Sequence, residues 1–144
     1  MAVETLELTL EALAGVADHC LAPFRHAVRL LDSEALPADG YAGIPMVPLD
    51  RPLRLEARAS TGERCPEQDL DLEIYRSGSV LNLMLSRVLD AQAPILWHGS
   101  HAVWLHPEDG QPCDRPPDRG MAMEGFCRRL RALISSDGGS PATI

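Results

Sequence analysis

Residues 69–105 read DLDLEIYRSGSVLNLMLSRVLDAQAPILWHGSHAVWL, and the spacing of apolar residues in this stretch decides the fold. Leu70, Leu72 and Ile74 alternate with Asp71, Glu73 and Tyr75; beyond Arg76–Ser79, Leu81, Leu83 and Leu85 alternate with Asn82, Met84 and Ser86. A period of two marks strands with one buried face. With a two-residue turn at Ser77-Gly78, where Gly supplies the positive φ such turns need, Ile74 is expected opposite Leu81, Leu72 opposite Leu83 and Leu70 opposite Leu85. A one-residue slip would set leucines against Asn82 or Ser86, so the pattern opposes it.

A second hairpin is expected from Pro94–His98 and His101–His106, turning at Gly99-Ser100 with Gly in the first turn position. That pairing puts Ile95, Trp97, Ala102 and Trp104 on one face. The other carries Leu96, Val103 and Leu105, with His98 and His101 near the turn. A ribbon apolar on both sides is expected to be covered on both, by helices or by another protein surface.

Outside the hairpins, two templates compete from Glu4 to Phe24. Leu6, Leu8 and Leu10 alternate like a strand, but Leu6, Leu10, Leu13, Ala17, Cys20, Leu21 and Phe24 form a helical stripe over five turns, and the longer pattern predicts a helix. Pro23 should end or kink it, with Phe24–Leu31 continuing as a second helical piece. Pro37–Pro52 holds four prolines and two glycines among apolar residues, which predicts a packed, irregular crossover. Leu53, Leu55, Ala57 and Ala59 alternate with charged residues and give a first strand, whose Arg54 and Arg58 can pair with Asp69, Asp71 or Glu73 across the ladder. His106–Gly120, with four prolines, reads as loop, and Met123, Phe126, Cys127, Leu130, Leu133 and Ile134 mark a last helix. The expected fold is α+β: a five-stranded antiparallel β-meander with N- and C-terminal helices packed on one face, as a single domain over 1–134 with a mobile C-terminal tail at 135–144.

Composition excludes several chemistries. The 144-residue chain has a formal charge of −8, and all 13 of its Lys and Arg residues are arginine. Without lysine there is no Walker-type phosphate loop, no Schiff-base amine, no kinase-type ATP lysine and no Ser-Lys dyad. The arginine bias also suggests a GC-rich, bacterial genome. Two each of Trp, Tyr and Phe on an acidic chain offer few stacking platforms and no basic track, so nucleic-acid binding is not expected. The isolated Cys20, Cys65, Cys113 and Cys127, together with an N-terminus lacking signal-peptide features, read as reduced thiols in a cytoplasmic protein. No run reaches the roughly 18 apolar residues of a membrane span.

Each polar candidate also has an ordinary structural role. His98 and His101, facing each other across a tight turn, could share a metal, but His106 alternates away and the third ligand is missing; a solvated pair is the simpler reading. His106-Pro107-Glu108 with Pro112-Cys113 lacks the second cysteine of a zinc deaminase signature, Pro116 standing in its place. Asp69, Asp71 and Glu73 share a strand face and could do acid–base work, though such rows are normally the wet side of a sheet. Arg128, Arg129 and Arg131 suit a helix C-terminus.

The resulting expectation is a non-enzymatic protein acting through protein contact, as a homodimer or an accessory or assembly factor, with no cofactor and no membrane or nucleic-acid partner. Its contact patch is expected at Ile95, Trp97, Ala102 and Trp104, extended by Val80 and Met84, unless the Pro37–Pro52 crossover covers this face within the monomer. The alternatives are a carrier holding a small apolar ligand between sheet and helices, and an enzyme using His98, His101 and the acidic strand.

Overall fold

The structure, a computed structural model, describes residues 5–31 and 46–139, with backbone alone for 135–139. In chain order it contains β1 (Thr5–Thr9), α1 (Leu10–Cys20), β2 (Arg25–Leu30), β3 (Met46–Pro48), β4 (Leu53–Arg58), β5 (Leu70–Ser77), β6 (Val80–Arg87), β7 (Ile95–His98), β8 (Ala102–Leu105), β9 (Pro112–Cys113) and α2 (Gly120–Gly139). The class is α+β with antiparallel pairing, as expected, but the sheet has seven strands rather than five, in the order β2-β4-β5-β6-β7-β8-β9. β1 and β3 form a separate two-stranded ribbon.

Two of the extra strands, β1 and β2, come from segments that can be read with either period, whereas β3 falls in the expected irregular crossover and β9, two residues paired with Trp104 and Leu105 of β8, falls in the stretch His106–Gly120 expected as loop. The helix expected over Glu4–Phe24 starts only at Leu10, because the Thr9 side chain caps it by accepting from the Ala12 amide at 2.9 Å. Upstream, Leu6 and Leu8 keep their alternation and are buried in the ribbon with β3. The second helical piece expected at Phe24–Leu31 is instead β2. Its six residues pair in continuous register with β4, from Arg25 opposite Arg58 to Leu30 opposite Leu53. His26, Val28 and Leu30 turn toward the core while Arg25, Ala27 and Arg29 stay exposed, a period of two that overrides helical propensity once a partner strand is present. Of the expected crossover, residues 32–45 lie outside the described residues; Val47 and Leu49 at its end are buried. α2 continues to Gly139, five residues beyond the expected boundary, and residues 140–144 lie outside the described residues.

The first hairpin turns at Gly78-Ser79, with Gly78 at φ 64°, and pairs Ile74 with Leu83 and Leu72 with Leu85. This is two residues away from the expected register. A slip of two keeps every side chain on its face, so the leucines of both strands are still buried.

On that side the sheet residues Leu53, Leu55, Leu70, Leu72, Ile74, Leu83, Leu85 and Leu96 join Leu13 and Ala17 of α1 and Met123, Phe126 and Leu130 of α2 in one cluster, so both helices cover the same face. Arg119 ties their ends together, donating to the carbonyls of Leu21 and Ala22 and lying 5.3 Å from the Phe24 ring centroid. No described helix is long and apolar enough to cross a membrane.

Phe126 is fully buried at the centre of this layer. Phe126→Ala is expected to lower unfolding stability by about 3–5 kcal/mol, read as a fall in urea midpoint at unchanged m-value. A loss below about 1 kcal/mol would show that the helix layer does not close on Phe126.

Candidate functional site

The side of the sheet away from the helices is the surface on which sequence and geometry converge. Its form follows from the β7–β8 turn. Three residues, Gly99, Ser100 and His101, separate His98 from Ala102, where two were expected, and the Gly99 amide donates to the His101 carbonyl at 3.2 Å. Pairing therefore sets Leu96 opposite Trp104 and Trp97 opposite Val103. The odd slip divides the expected patch: Trp104 is buried under the helices with Ala102 packed beside it, whereas Ile95 and Trp97 remain half-buried on the outer side.

Trp97 is held there by specific contacts. It lies opposite Met84 on β6, and its Nε1 reaches past β6 to donate to the Tyr75 hydroxyl on β5 at 3.1 Å. Gly99 makes room for the ring, since a Cβ at that position would stand 2.8 Å from Trp97 Cζ2 and 2.8 Å from Asn82 Oδ1. The glycine that reads as a turn residue is thus needed for close approach of an indole; it is not among the positive-φ residues. Asn82 is almost fully buried beside it and donates to the Val80 carbonyl at 3.3 Å. Val103 and Leu105 complete the apolar half of the face, both half-buried. Val103 and Leu105 join the patch because the longer turn shifts the alternation of β8, and counting the turn as three residues would have found them; Tyr75 is there because it alternates with the buried Leu70, Leu72 and Ile74 of β5.

The other half of the outer face is charged. Arg29 donates to Glu56 at 2.7 Å, and Arg54 forms a two-pronged pair with Asp71 at 2.8 and 3.2 Å. Arg58 turns instead to the Gly62 carbonyl. Asp69, expected in a solvated row with Asp71 and Glu73, is buried: it accepts from the Ala57 amide at 2.8 Å and from both Nη atoms of Arg64 at 3.0 and 2.7 Å. Burial by itself would raise its pKa, but the Arg64 guanidinium and the Ala57 amide outweigh it and hold the carboxyl below its ordinary value. Glu73 alone of the three is exposed, so the row is not a cluster of carboxylates open to a substrate.

The histidines separate as well. His98 faces the core, 6% exposed, with no hydrogen-bond partner at Nδ1, while His101 is exposed in the turn and His106 beyond β8. Because His98 pairs with Ala102, the two imidazoles do not face each other as a tight turn would require. Desolvation, then the charges of Arg131 and Arg128, push the His98 pKa down. His26 is also lowered by burial, against the pull of Asp18, whose Oδ1 lies 3.0 Å from its Nδ1. Among the described residues no group of three or more His, Cys, Asp or Glu converges as a metal site would. The cavity that His26 lines with Arg87 and Arg119 beneath the helices measures about 10 Å³, the room of a single water, so an apolar ligand has no chamber there.

A family model described as a domain of unknown function (DUF8659) matches residues 10–133. No curated protein and no solved structure matches the chain.

Gly99→Ala is expected to displace the Trp97 ring and lower stability by about 1–3 kcal/mol, with a shift in tryptophan emission; unchanged emission and stability would refute the close approach. A second expectation concerns acid. His98 titrates in the folded state below its ordinary 6.5, so its contribution to stability is complete above pH 6.5 and lost as pH falls through that value toward the folded pKa. His98→Leu removes this term, and the variant should lose less stability than the wild type between pH 8 and pH 5 in urea titrations.

Proposed function

The chain belongs to the DUF8659 family, and we propose that it works through protein contact, with a second copy of itself docked on the outer face of the sheet. The observation that carries this is the Trp97 seat: an aromatic side chain held by Tyr75 and Gly99 on a face over which no described element is stacked. Rigid aromatic anchors of this kind concentrate binding energy, because little side-chain freedom remains to be lost on association.

Charge favours a second copy. The chain carries a formal −8, so two copies repel over much of their surfaces. The outer face is different: Arg25, Arg29, Arg54 and Arg58 stand there with Glu56, Asp71 and Glu73, and the two signs nearly balance. Size sets the strength. Four strands about 4.8 Å apart and four residues deep at about 3.4 Å give an apolar area of roughly 260 Å² in plan, well short of the roughly 800 Å² per partner of a standard interface. The contact must therefore extend over the charged half, and a weak, concentration-dependent, salt-sensitive dimer follows. The proposal includes a cytoplasmic location, which the four free cysteines support.

Sedimentation velocity over a concentration series is the test. Wild type should shift toward dimer at high concentration, and Trp97→Glu should stay monomeric with an unchanged far-ultraviolet spectrum. A wild type that remains monomeric at millimolar concentration overturns self-association and leaves the accessory-factor reading, in which a different chain takes the same face.

A further inference from the structure

Beneath the helix layer, at the end of the sheet where β2 begins and β6 ends, His26, Gln68, Arg87 and Arg119 meet around a cavity of about 10 Å³. That volume holds one water molecule and no organic ligand. We propose that this cavity is the binding site of a single permanent water, which accepts a hydrogen bond from Arg87 Nε and donates one to His26 Nε2.

The polar groups of the wall require a molecule that both accepts and donates. Arg87 Nε is fully buried and has no hydrogen-bond partner among the described residues, the Nη2 of the same side chain being turned to the Asp118 carbonyl. A guanidinium only donates, so whatever meets Nε must accept. The His26 side chain is 1% exposed, and its Nδ1 lies 3.0 Å from Asp18 Oδ1. An ionised carboxylate only accepts, so the proton of the neutral ring sits on Nδ1 and Nε2 is left as a bare acceptor. Burial favours that neutral ring by pushing the His26 pKa down. Water meets both demands at once, and the Gln68 amide, on the same wall, brings its partners into the range of two to four that buried waters have.

A small anion is the competing occupant, since Arg87 and Arg119 both bring guanidinium groups to the wall. Two features oppose it. The lone pair on a bare Nε2 repels negative charge, and Arg119 already has its Nη2 committed to the Leu21 and Ala22 carbonyls and its guanidinium set against the Phe24 ring. Leu70 and Met123, both buried, close other parts of the wall, so the water exchanges slowly with solvent. Through it the end of β6 is joined to β2 and, by the Asp18–His26 pair, to α1.

The test is a high-resolution crystal structure of the full chain grown in sodium bromide, together with long-range ¹H–¹⁵N spectra of the histidine-labelled protein at neutral pH. One water peak should lie about 2.7–3.2 Å from both Arg87 Nε and His26 Nε2, with no anomalous bromide signal at that position, and the His26 proton should be on Nδ1. Arg87→Met, which keeps the length of the side chain and removes the donor, should lose the water peak at an unchanged far-ultraviolet spectrum; if this variant fails to fold, the wild-type peak and tautomer decide. The proposal is overturned if no ordered water touches both nitrogens, if bromide occupies the position, if the His26 proton is on Nε2, or if folded Arg87→Met retains the water at full occupancy.

Discussion

Leu96 lies opposite Trp104 on the helix side of the sheet, and that pairing determines which aromatic side chain is buried and which is presented. Side chains alternate along a strand, so an offset of one residue between β7 and β8 moves every side chain of β8 to the opposite face. With Trp104 under the helices, the layer formed by Phe126, Met123 and Leu130 closes on a full apolar surface. The same offset brings Val103 and Leu105 to the outer side beside Trp97 and Ile95. Burial on one face and exposure on the other are two results of a single register.

The outer face then divides along the strand order. β2, β4 and the start of β5 present arginines and carboxylates joined in ladder pairs, and β6 to β8 present Met84, Trp97, Val103 and Leu105 around Tyr75. Exposed ion pairs of this kind contribute little to stability, about 0–1 kcal/mol each. They also leave an acidic chain with one face where the signs nearly cancel.

Inside the fold, polar groups are few and most are paired. Asp69 binds Arg64 and the Ala57 amide, linking the turn after β4 to the start of β5. Asp18 binds His26 and Arg25, holding the end of α1 against β2. Among the described residues two buried side-chain nitrogens lack a hydrogen-bond partner, Arg87 Nε and Nδ1 of His98, the latter on a buried ring beneath α2. Leaving a donor or acceptor unmatched typically costs about 1–3 kcal/mol, and neutral imidazole is the form of histidine that tolerates it best.

The alternation in residues 69–105 and the apolar stripe of Met123–Ile134 were sufficient to read an antiparallel α+β fold, because period two and period 3.6 are local consequences of strand and helix geometry. Outward placement of Met84 and Trp97 could be read in the same way. Other features were not local. The strand identity of Arg25–Leu30 depends on β4 as a partner, the two-residue slip of the first hairpin preserves every face and so leaves no mark in the pattern, and the faces of β8 depend on whether a turn contains two residues or three. Asp69 looks like one more carboxylate of a wet row until Arg64, from the preceding turn, meets it. The sequence by itself therefore determined which segments alternate and which are amphipathic. The tertiary structure alone decided which segments pair, in what register, and hence that Trp97 faces outward while Trp104 lies in the core, because pairing energy is gained only between residues distant along the chain.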